Sequence, residues 1–315
     1  MYFLRRMCRG AGRSLPQLRR RTDGSPDPRG QTAGEVSREY RTEAQEMSRQ
    51  PPRILAIAGS DSSGGAGIQA DIKTITMLGG YAMTAITAVT AQNSVGVQGI
   101  TPLDGAFVGQ QIASAIDDIG VDAIKIGMLQ NEDIILAVAN ALEEIDPQVP
   151  IVLDPVMVAT SGAPLVVQDA VATMRERLFT KARLLTPNLP ELELLAGKQL
   201  RTTELVREAA EDLARHYGCD VLAKGGHTAD ERIIDVLVPV GGRMAQFDDA
   251  RIDTRHTHGT GCTLSSAIAT LLGHGQPMEH AVRLARRFVR EAIENAPGFG
   301  DGAGPLGHQA VRLKS

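Results

Sequence analysis

The chain contains no tryptophan, and only 3% of its 315 residues are aromatic. Proteins that bind single strands of nucleic acid stack bases on aromatic side chains, so this composition argues against a nucleic-acid partner. The sequence also lacks any run of about 18 apolar residues, which argues against a membrane-spanning helix. Hydrophobic residues still make up 43% of the chain. That is enough for one large globular domain or two small ones.

Cysteine is scarce as well. The three cysteines, Cys8, Cys219 and Cys262, are an odd number at scattered spacing, and they match no metal-binding pattern. Such a set indicates reduced thiols rather than a disulfide framework, and it favours a cytoplasmic protein. The sequence contains no internal repeat.

The first 50 residues differ from the rest of the chain. They hold 11 Arg and no Lys and carry a net charge of +5, whereas residues 51–315 carry −9. They show no apolar periodicity and include the turn-rich run at residues 24–30. We expect residues 1–50 to be a disordered extension of one domain that spans residues 51–315. Three interpretations are open: a disordered tail, an organelle transit peptide, or a leader translated from a misplaced start codon. Met47 lies directly before the first predicted strand, and this favours the last interpretation, with Met47 as the true start.

From residue 53 onward, segments typical of strands and helices alternate. Buried strands are predicted at residues 54–58, 81–89, 123–126, 150–154, 183–185 and 221–223. Helices are predicted between them, the first with Ile68, Ile72, Ile75 and Leu78 on one face. Continuous apolar strands interleaved with amphipathic helices predict a mostly parallel sheet covered on both faces, a three-layer α/β/α sandwich. Residues 233–238 and 244–247 flank Gly241 and Gly242 and predict an antiparallel edge hairpin.

Polar and glycine-rich residues cluster where these strands end. They are found at residues 59–61, 92–93, 127–128, 154–155, 188 and 224–226, and in the turn at residues 256–266. Ligands of an open α/β sheet bind at the carboxyl ends of its strands. The pattern therefore predicts one binding site along this edge.

The turn at residues 256–266 runs straight into a predicted helix. Gly259, Thr260 and Gly261 leave the first backbone N–H groups of that helix uncovered, which is the arrangement that binds phosphate. On its own this would more often be an ordinary tight turn. Together with the strand-end cluster it indicates a phosphate site. Cys262 follows, a thiol where a phosphoryl-transfer enzyme would place a base.

Several other residues allow both a functional and a structural interpretation. Asn188 and Glu191 open a helix and could hold Mg²⁺, directly or through water, or could simply form a capping box. Asp154 could be a solvated strand end or a second acidic group near the metal. Lys224 ends an apolar strand and could reach a transferring phosphate, although such a lysine is usually only solvated. The turn at residues 61–67 matches neither the Walker A nor the dinucleotide pattern.

Taken together, these segments resemble the ribokinase-like superfamily, and specifically the hydroxymethylpyrimidine/phosphomethylpyrimidine kinases of thiamine biosynthesis. Seven motifs carry the resemblance in family order, at residues 58–71, 87–93, 125–129, 153–157, 186–191, 224–227 and 258–265. The tail at residues 300–308 is also similar to the end of that family. The resemblance covers the chain from about residue 53 to its C-terminus.

The resemblance implies an ATP-dependent, Mg²⁺-requiring kinase that phosphorylates the hydroxymethylpyrimidine and then its monophosphate. It also implies a cytoplasmic homodimer. Substrate would be bound by Gln92, Gly59, Asp61, Ala66 and Met128. The γ-phosphate would lie against Gly259, Thr260 and Gly261, and Lys224 would neutralise its charge. Mg²⁺ would be organised by Asn188, Glu191 and Asp154. Cys262 would be the candidate base. In most ribokinase-like enzymes an Asp stands at the position of Cys262.

Two alternatives remain from the sequence. Some members of the same branch phosphorylate pyridoxal or pyridoxine, and dual activity is compatible with the motifs, although Gln92 and Met128 favour the pyrimidine. A ligand-binding or regulatory domain without catalysis would normally lose its phosphate-site residues. All of those residues are present here.

Overall fold

The computed structural model describes residues 50–157, 168–226 and 231–311. Within these ranges the strands are β1 (Arg53–Asp61), β2 (Tyr81–Gln92), β3 (Val97–Pro102), β4 (Ala123–Ile126), β5 (Ile151–Leu153), β6 (Leu184–Leu185), β7 (Asp220–Ala223), β8 (Arg232–Val238) and β9 (Ala245–Ala250). They form one sheet in the order β3-β2-β1-β4-β5-β6-β7-β8-β9. The predictions for residues 1–49, including the disordered extension and the start at Met47, concern residues outside these ranges and stay predictions.

The helices cover both faces of the sheet, as predicted. They are α1 (Gly67–Met77), α2 (Gly105–Ile119), α3 (Glu132–Ala141), α4 (Gln168–Arg177), α5 (Leu189–Ala196), α6 (Thr203–Tyr217), α7 (Thr260–Gly273) and α8 (Met278–Glu294). Leu55 and Ile57 point to the face packed by α2 to α6, while Ile54 and Ala56 point to the face packed by α1, α7 and α8. Because both faces are covered, the central strands are largely apolar rather than alternating.

The central strands are parallel, and antiparallel pairs flank them. β2, β1, β4, β5, β6 and β7 pair in parallel with one another, in that order. The predicted hairpin is confirmed as β8 and β9, which lie at one edge. All parallel strands therefore end at the same edge of the sheet, and this brings the polar strand ends together.

Two expectations need correction. Ile72 does not share the buried face of Ile68 and Ile75, because 40% of it is exposed. The sequence analysis also missed β3, which pairs antiparallel with β2 at the other edge of the sheet. Asn93 organises the turn before β3, since its side chain accepts hydrogen bonds from the backbone N–H groups of Val95 and Gly96.

No helix in the described part of the chain combines the length and apolar character needed to cross a membrane.

Candidate active site

A cavity of about 910 Å³ opens at the carboxyl ends of the parallel strands. Every site residue predicted from the sequence lines it: Gly59, Asp61, Ala66, Gln92, Met128, Asp154, Asn188, Glu191, Lys224, Gly259, Thr260, Gly261 and Cys262. His227, the last residue of one sequence motif, lies outside the described residues. The strand ends and the turn before α7 thus form a single site.

Glycines bring the start of α1 close to β1. The register between β1 and β2 shifts between Ala58 and Ser60, so the strands form a bulge at Gly59, with the extra residue on β2. A Cβ at Gly59 would overlap the methyl group of Met128, and a Cβ at Gly67 would overlap the carbonyl oxygen of Gly59. Gly67 also has a φ of +55°, in the left-handed region. The bulge and the helix start can therefore lie together only without side chains.

The Asp61 carboxylate holds the turn that follows β1. Its Oδ1 accepts hydrogen bonds from the backbone and hydroxyl of Ser63 at 2.8 and 2.7 Å. Its Oδ2 accepts from the N–H groups of Gly65 and Ala66 at 3.0 and 2.8 Å. Burial opposes ionisation, but these bonds and one from His258 outweigh it and lower the pKa of Asp61 to about 2. Asp61 therefore acts on the cavity mainly by fixing the backbone of its wall.

His258 connects this turn to Gln92. Its Nε2 lies 2.8 Å from Asp61 Oδ2 and 3.2 Å from the side-chain amide of Gln92. Because Asp61 is ionised and can only accept, the imidazole must carry its hydrogen on Nε2 and donate it to Asp61. The amide nitrogen of Gln92 therefore lies against Nε2 as a contact and does not donate a hydrogen bond to it. The backbone of His258 is held in turn by the carbonyl of Gly304, at 3.2 Å. The sequence analysis assigned His258 no role, but the structure places it between Asp61 and the predicted substrate-binding residue Gln92.

The turn before α7 has the predicted form of an anion site. Gly259 takes a φ of +87° and packs against the Gly65 carbonyl, and α7 begins at Thr260. No side chain among the described residues caps this helix. The backbone N–H groups of Gly261 and Cys262 therefore face the cavity mouth with the positive end of the helix dipole.

Lys224 and Asp154 lie beside this turn. Lys224 Nζ donates to Asp154 Oδ1 at 2.7 Å, and the hydroxyl of Thr186 donates to the same oxygen at 3.0 Å. A Cβ built on Gly261 would be 3.3 Å from Asp154 Oδ2 and 3.4 Å from Lys224 Nζ. Burial opposes the charge on Lys224, but Asp154 and Glu191 outweigh burial and raise its pKa. A cation therefore stands next to uncovered N–H groups, as an anion site requires.

Asn188 and Glu191 form the capping box that the sequence left open. Asn188 Oδ1 accepts from the backbone of Glu191 at 2.9 Å, and Glu191 Oε2 accepts from the backbone of Asn188 at 2.8 Å. The structural interpretation is thus confirmed, and both residues also line the cavity. Burial raises the pKa of Glu191 to about 7, with Lys224 opposing and Asp154 reinforcing the shift.

The acidic residues here are too few to form a metal cage of their own. In the described ranges, no group of three or more His, Cys, Asp or Glu side chains is arranged to hold a metal. Two carboxylates, Asp154 and Glu191, line the same cavity, and the charge of Asp154 adds to burial in raising the pKa of Glu191. Mg²⁺ commonly uses one or two carboxylates, with water and substrate phosphates completing its shell. The donors present fit such a partly hydrated ion.

Cys262 lies at the start of α7, on the cavity wall. Burial raises the pKa of its thiol to about 11, although the charge of Lys125 acts in the opposite direction. In the free enzyme the helix terminus and the nearby cations therefore do not lower this pKa below its ordinary value. The thiol is protonated at neutral pH.

The sequence analysis also missed a charged group beneath the site. Lys125 lies in the four-residue strand β4, which is buried throughout. A lysine inside an apolar strand was visible in the sequence and could have been noted, because such a cation needs a buried partner. Its partner is Asp71 on α1, at 2.9 Å.

Comparison with known proteins gives a consistent family. The family model described as phosphomethylpyrimidine kinase matches residues 61–307. The hydroxymethylpyrimidine/phosphomethylpyrimidine kinase of Bacillus subtilis is 43% identical over 263 residues, which cover 84% of this chain and 97% of that protein. A thiamine biosynthesis bifunctional protein of Geobacter sulfurreducens is 46% identical over 255 residues, covering 81% of this chain; the match spans only 52% of that longer protein.

The fold has solved counterparts. The pyridoxal kinase of Bacillus subtilis, solved as an ADP complex, superposes with a TM-score of 0.75 at 37% identity. The match covers 84% of this chain and all of that one. With the family model matched over most of the chain, and with a phosphate-type site where its motifs meet, the chain belongs to the phosphomethylpyrimidine kinase family and is a phosphotransferase.

Proposed function

We propose that this chain transfers the γ-phosphate of ATP to 4-amino-5-hydroxymethyl-2-methylpyrimidine, and then phosphorylates the monophosphate to the diphosphate, in thiamine biosynthesis. One observation carries the proposal. Gln92, which offers both a donor and an acceptor, lines the same cavity as Lys224 and the uncovered N–H groups before α7. A heterocycle held by Gln92 therefore shares a cavity with the phosphate-type site. The names of the relatives support this substrate.

ATP is the proposed phosphate donor. Beyond the anion turn, the cavity is lined by the apolar side chains of Leu264, Val289 and Ile293. Ligand pockets are commonly apolar with a few fixed polar groups, and this wall suits a purine base. The ADP complex of the pyridoxal kinase supports an adenine nucleotide in a site of this kind.

Mg²⁺ is the proposed metal, held by Asp154 and Glu191, with Asn188 fixing the position of Glu191. When bound, such an ion neutralises charge on the phosphates of the nucleotide. The residues themselves contribute two acidic groups and one ordered helix start. Lys224 shares Asp154 with the metal site and carries positive charge to the side of Gly261.

In the proposed reaction, the hydroxymethyl oxygen attacks the γ-phosphorus in line while ADP leaves. Positioning and charge neutralisation supply most of the catalysis in phosphoryl transfer. Lys224 and the N–H groups of Gly261 and Cys262 stabilise the charge on the transferred group. The alcohol gives up its proton, and Cys262 is the proposed acceptor once it is ionised. The second phosphorylation requires the same cavity to hold the monophosphate, for which Lys224 and the anion turn are the candidates.

A pyridoxal kinase, or an enzyme with both activities, is the second candidate. The structural match to a pyridoxal kinase favours it. The higher identity to the pyrimidine kinase and the position of Gln92 favour the pyrimidine.

The two candidates are separated by measuring ADP release from ATP and Mg²⁺ with three substrates in parallel: the hydroxymethylpyrimidine, its monophosphate and pyridoxal. We expect turnover with both pyrimidines, and mass spectrometry should identify the diphosphate as the end product. Turnover with pyridoxal alone would replace the main proposal with the second. Turnover with the first pyrimidine but not the monophosphate would remove the second step.

A cytoplasmic homodimer is also proposed, from the family resemblance. Analytical ultracentrifugation of the full chain tests the oligomeric state, and a monomer at micromolar concentration would contradict it.

A further inference from the structure

Residues at the boundaries of three sequence motifs meet in one buried cluster beneath the site. Asp71 closes the motif at residues 58–71, Lys125 opens the motif at residues 125–129, and Ser266 follows the motif at residues 258–265. All three side chains are fully buried. Lys125 Nζ donates to both carboxylate oxygens of Asp71 at 2.9 Å, and Ser266 Oγ donates to Asp71 Oδ1 at 2.6 Å. Burial raises the pKa of Asp71, but its carboxylate accepts three hydrogen bonds from two groups, Lys125 and Ser266, and both favour the charged form. We treat the cluster as a charged pair.

The cluster joins the elements that surround the thiol of Cys262. Ser266 lies on α7, one helical turn beyond Cys262. Asp71 lies on α1, one turn beyond Gly67, whose backbone N–H favours the thiolate of Cys262. Lys125 lies on β4 between them, with its Nζ under Gly127. The sulfur therefore lies near two helix N-termini, and the Asp71 carboxylate joins both helices to Lys125.

Cys262 also lies within the electric field of this pair. The cation of Lys125 favours the thiolate, and the carboxylate of Asp71 disfavours it. Two further charges face Cys262 from neighbouring elements: Asp154 after β5, which disfavours the thiolate, and Lys224 after β7. Of the two cations, Lys125 is the one that lowers the pKa of the Cys262 thiol most.

A purely structural role does not require charge at this position. Replacing a buried ion pair with well-packed apolar side chains is often neutral or stabilising. Here the pair is instead placed next to a thiol that lines the cavity and whose ionisation the proposed reaction uses.

We propose that Lys125 and Asp71 are an electrostatic positioning pair for Cys262, in which Lys125 promotes the thiolate and Asp71 limits that effect. The inference deepens the proposed base role of Cys262. It rests on that proposed role only for the effect of the pair on catalysis. The electrostatic coupling itself concerns the free enzyme. It is independent of which alcohol is phosphorylated.

The test is the rate at which iodoacetamide alkylates Cys262, followed by peptide mass spectrometry in a full-length Cys8→Ser, Cys219→Ser background. The thiolate sulfur attacks the methylene carbon and iodide leaves, so below the thiol pKa the rate is proportional to the thiolate fraction. Between pH 8 and 9.5 without ligands, we expect Lys125→Met to react about tenfold more slowly and Asp71→Asn about tenfold faster. Ser266→Ala changes no charge and should stay within about threefold.

An electrostatic role predicts that the alkylation rate changes in opposite directions in Lys125→Met and Asp71→Asn, whereas a structural role does not. Loosening the fold would expose the thiol and bring its pKa towards the ordinary value of about 8.5, so both variants would react faster. An unchanged or faster rate in Lys125→Met therefore overturns the proposal, and so does a slower rate in Asp71→Asn.

A second comparison covers the case in which Lys125→Met does not fold. The double variant Lys125→Met, Asp71→Asn leaves no unpaired buried charge, and it differs from Asp71→Asn only in the cation. We expect the double variant to react about tenfold more slowly than Asp71→Asn. Equal rates would contradict the proposal. Because no substrate or nucleotide is present, this result cannot be confused with failure of the proposed function, which is read from turnover.

Discussion

The ammonium of Lys224 lies 2.7 Å from Asp154 Oδ1, so a carboxylate already holds the cation that we expect to meet the transferred phosphate. Thr186 fixes the same oxygen of Asp154 from the neighbouring strand end. The ammonium is therefore preorganised beside Gly261 rather than drawn there by substrate. Preorganised charge is effective because little reorganisation is needed during the reaction.

Lys224→Met should lower kcat by about 10²- to 10³-fold, because it removes one preorganised cation from the transferred phosphoryl group. The free energy of unfolding should change much less than activity, since the methionine keeps most of the volume. Steady-state ADP release measures the first quantity and urea unfolding the second. Lys198→Met is the matched control: it removes an exposed lysine at the end of α5 and should leave kcat unchanged. A kcat within threefold of wild type in Lys224→Met would remove this residue from the mechanism.

Alanine substitutions at two glycines of the anion turn should affect different properties, stability at Gly259 and activity at Gly261. Gly259 has a φ of +87° and abuts the Gly65 carbonyl, so Gly259→Ala should cost at least about 2 kcal/mol of unfolding free energy. Gly261 has an ordinary helical backbone, and a methyl group there lies 3.3 Å from Asp154 and 3.4 Å from Lys224. Gly261→Ala should therefore keep its stability within about 1 kcal/mol. It should lose about 10²-fold in kcat/KM, because the methyl displaces the phosphate.

Gly109→Ala on α2 is the control for both variants. Apart from its own helix turn, no atom of the described residues lies within 4 Å of a Cβ built there, so alanine should be neutral or stabilising and activity should be unchanged. Urea unfolding and steady-state kinetics on all three variants complete the experiment. The anion-turn assignment would be wrong if Gly261→Ala kept full kcat/KM.

The stability of the fold should depend on His308 between neutral and mildly acidic pH. This buried side chain is 2.8 Å from the Thr263 hydroxyl, and burial, with a smaller effect of Lys73, lowers its pKa to about 4. An unfolded histidine titrates near 6.5, so between these values the unfolded chain binds more protons. The contribution of the neutral imidazole is complete above about pH 6.5 and is lost as the pH falls towards 4.

His308→Asn should consequently remove about 2 kcal/mol of the decrease in unfolding free energy between pH 7 and pH 5. Urea unfolding at both pH values measures that difference, whatever the variant costs at pH 7. His280→Asn is the control, because His280 is exposed on α8. If His308→Asn and wild type lost the same free energy over this interval, the imidazole would not be held neutral by the fold.

The central fold was predictable because buried parallel strands leave a strong local signal. In β1 the residues Ile54 to Ala58 are all apolar and buried, and glycines mark the ends of several helices. β3 gave no such signal, because Val97–Pro102 is polar and largely exposed and is ordered by its pairing with β2. An edge strand of this kind is defined by its neighbour rather than by its own pattern.

The site was predictable for a similar reason, and its supporting contacts were not. Strand ends of a parallel sheet converge whatever the details, so Lys224 and Asp154 could be assigned to one site from their positions alone. The pairing of Lys125 with Asp71 joins residues 54 positions apart, and that of Asp61 with His258 joins residues 197 apart. A single sequence carries no record of such partners.

Gln92 and His258 give the last prediction, on substrate recognition. Gln92→Leu keeps the size of the side chain but removes its donor and acceptor, so kcat/KM for the hydroxymethylpyrimidine should fall by about 10- to 100-fold. His258→Phe leaves Gln92 in place but removes the imidazole nitrogen that lies against its amide. It should raise KM for the pyrimidine more than it lowers kcat, because the lost contact orients a binding residue and does not touch the reacting atoms.

Gln98→Leu is the matched control, since Gln98 is an exposed glutamine on neighbouring β3 that contacts Asn93 and Gly96 instead of the cavity. Steady-state kinetics with the pyrimidine varied at saturating ATP separate KM from kcat, and KM for ATP should stay unchanged in all three variants. A uniform loss of kcat in His258→Phe, with KM for the pyrimidine unaltered, would mean that His258 acts on the phosphate side of the cavity. The link from Asp61 through His258 to Gln92 would then support the anion turn rather than the binding of the heterocycle.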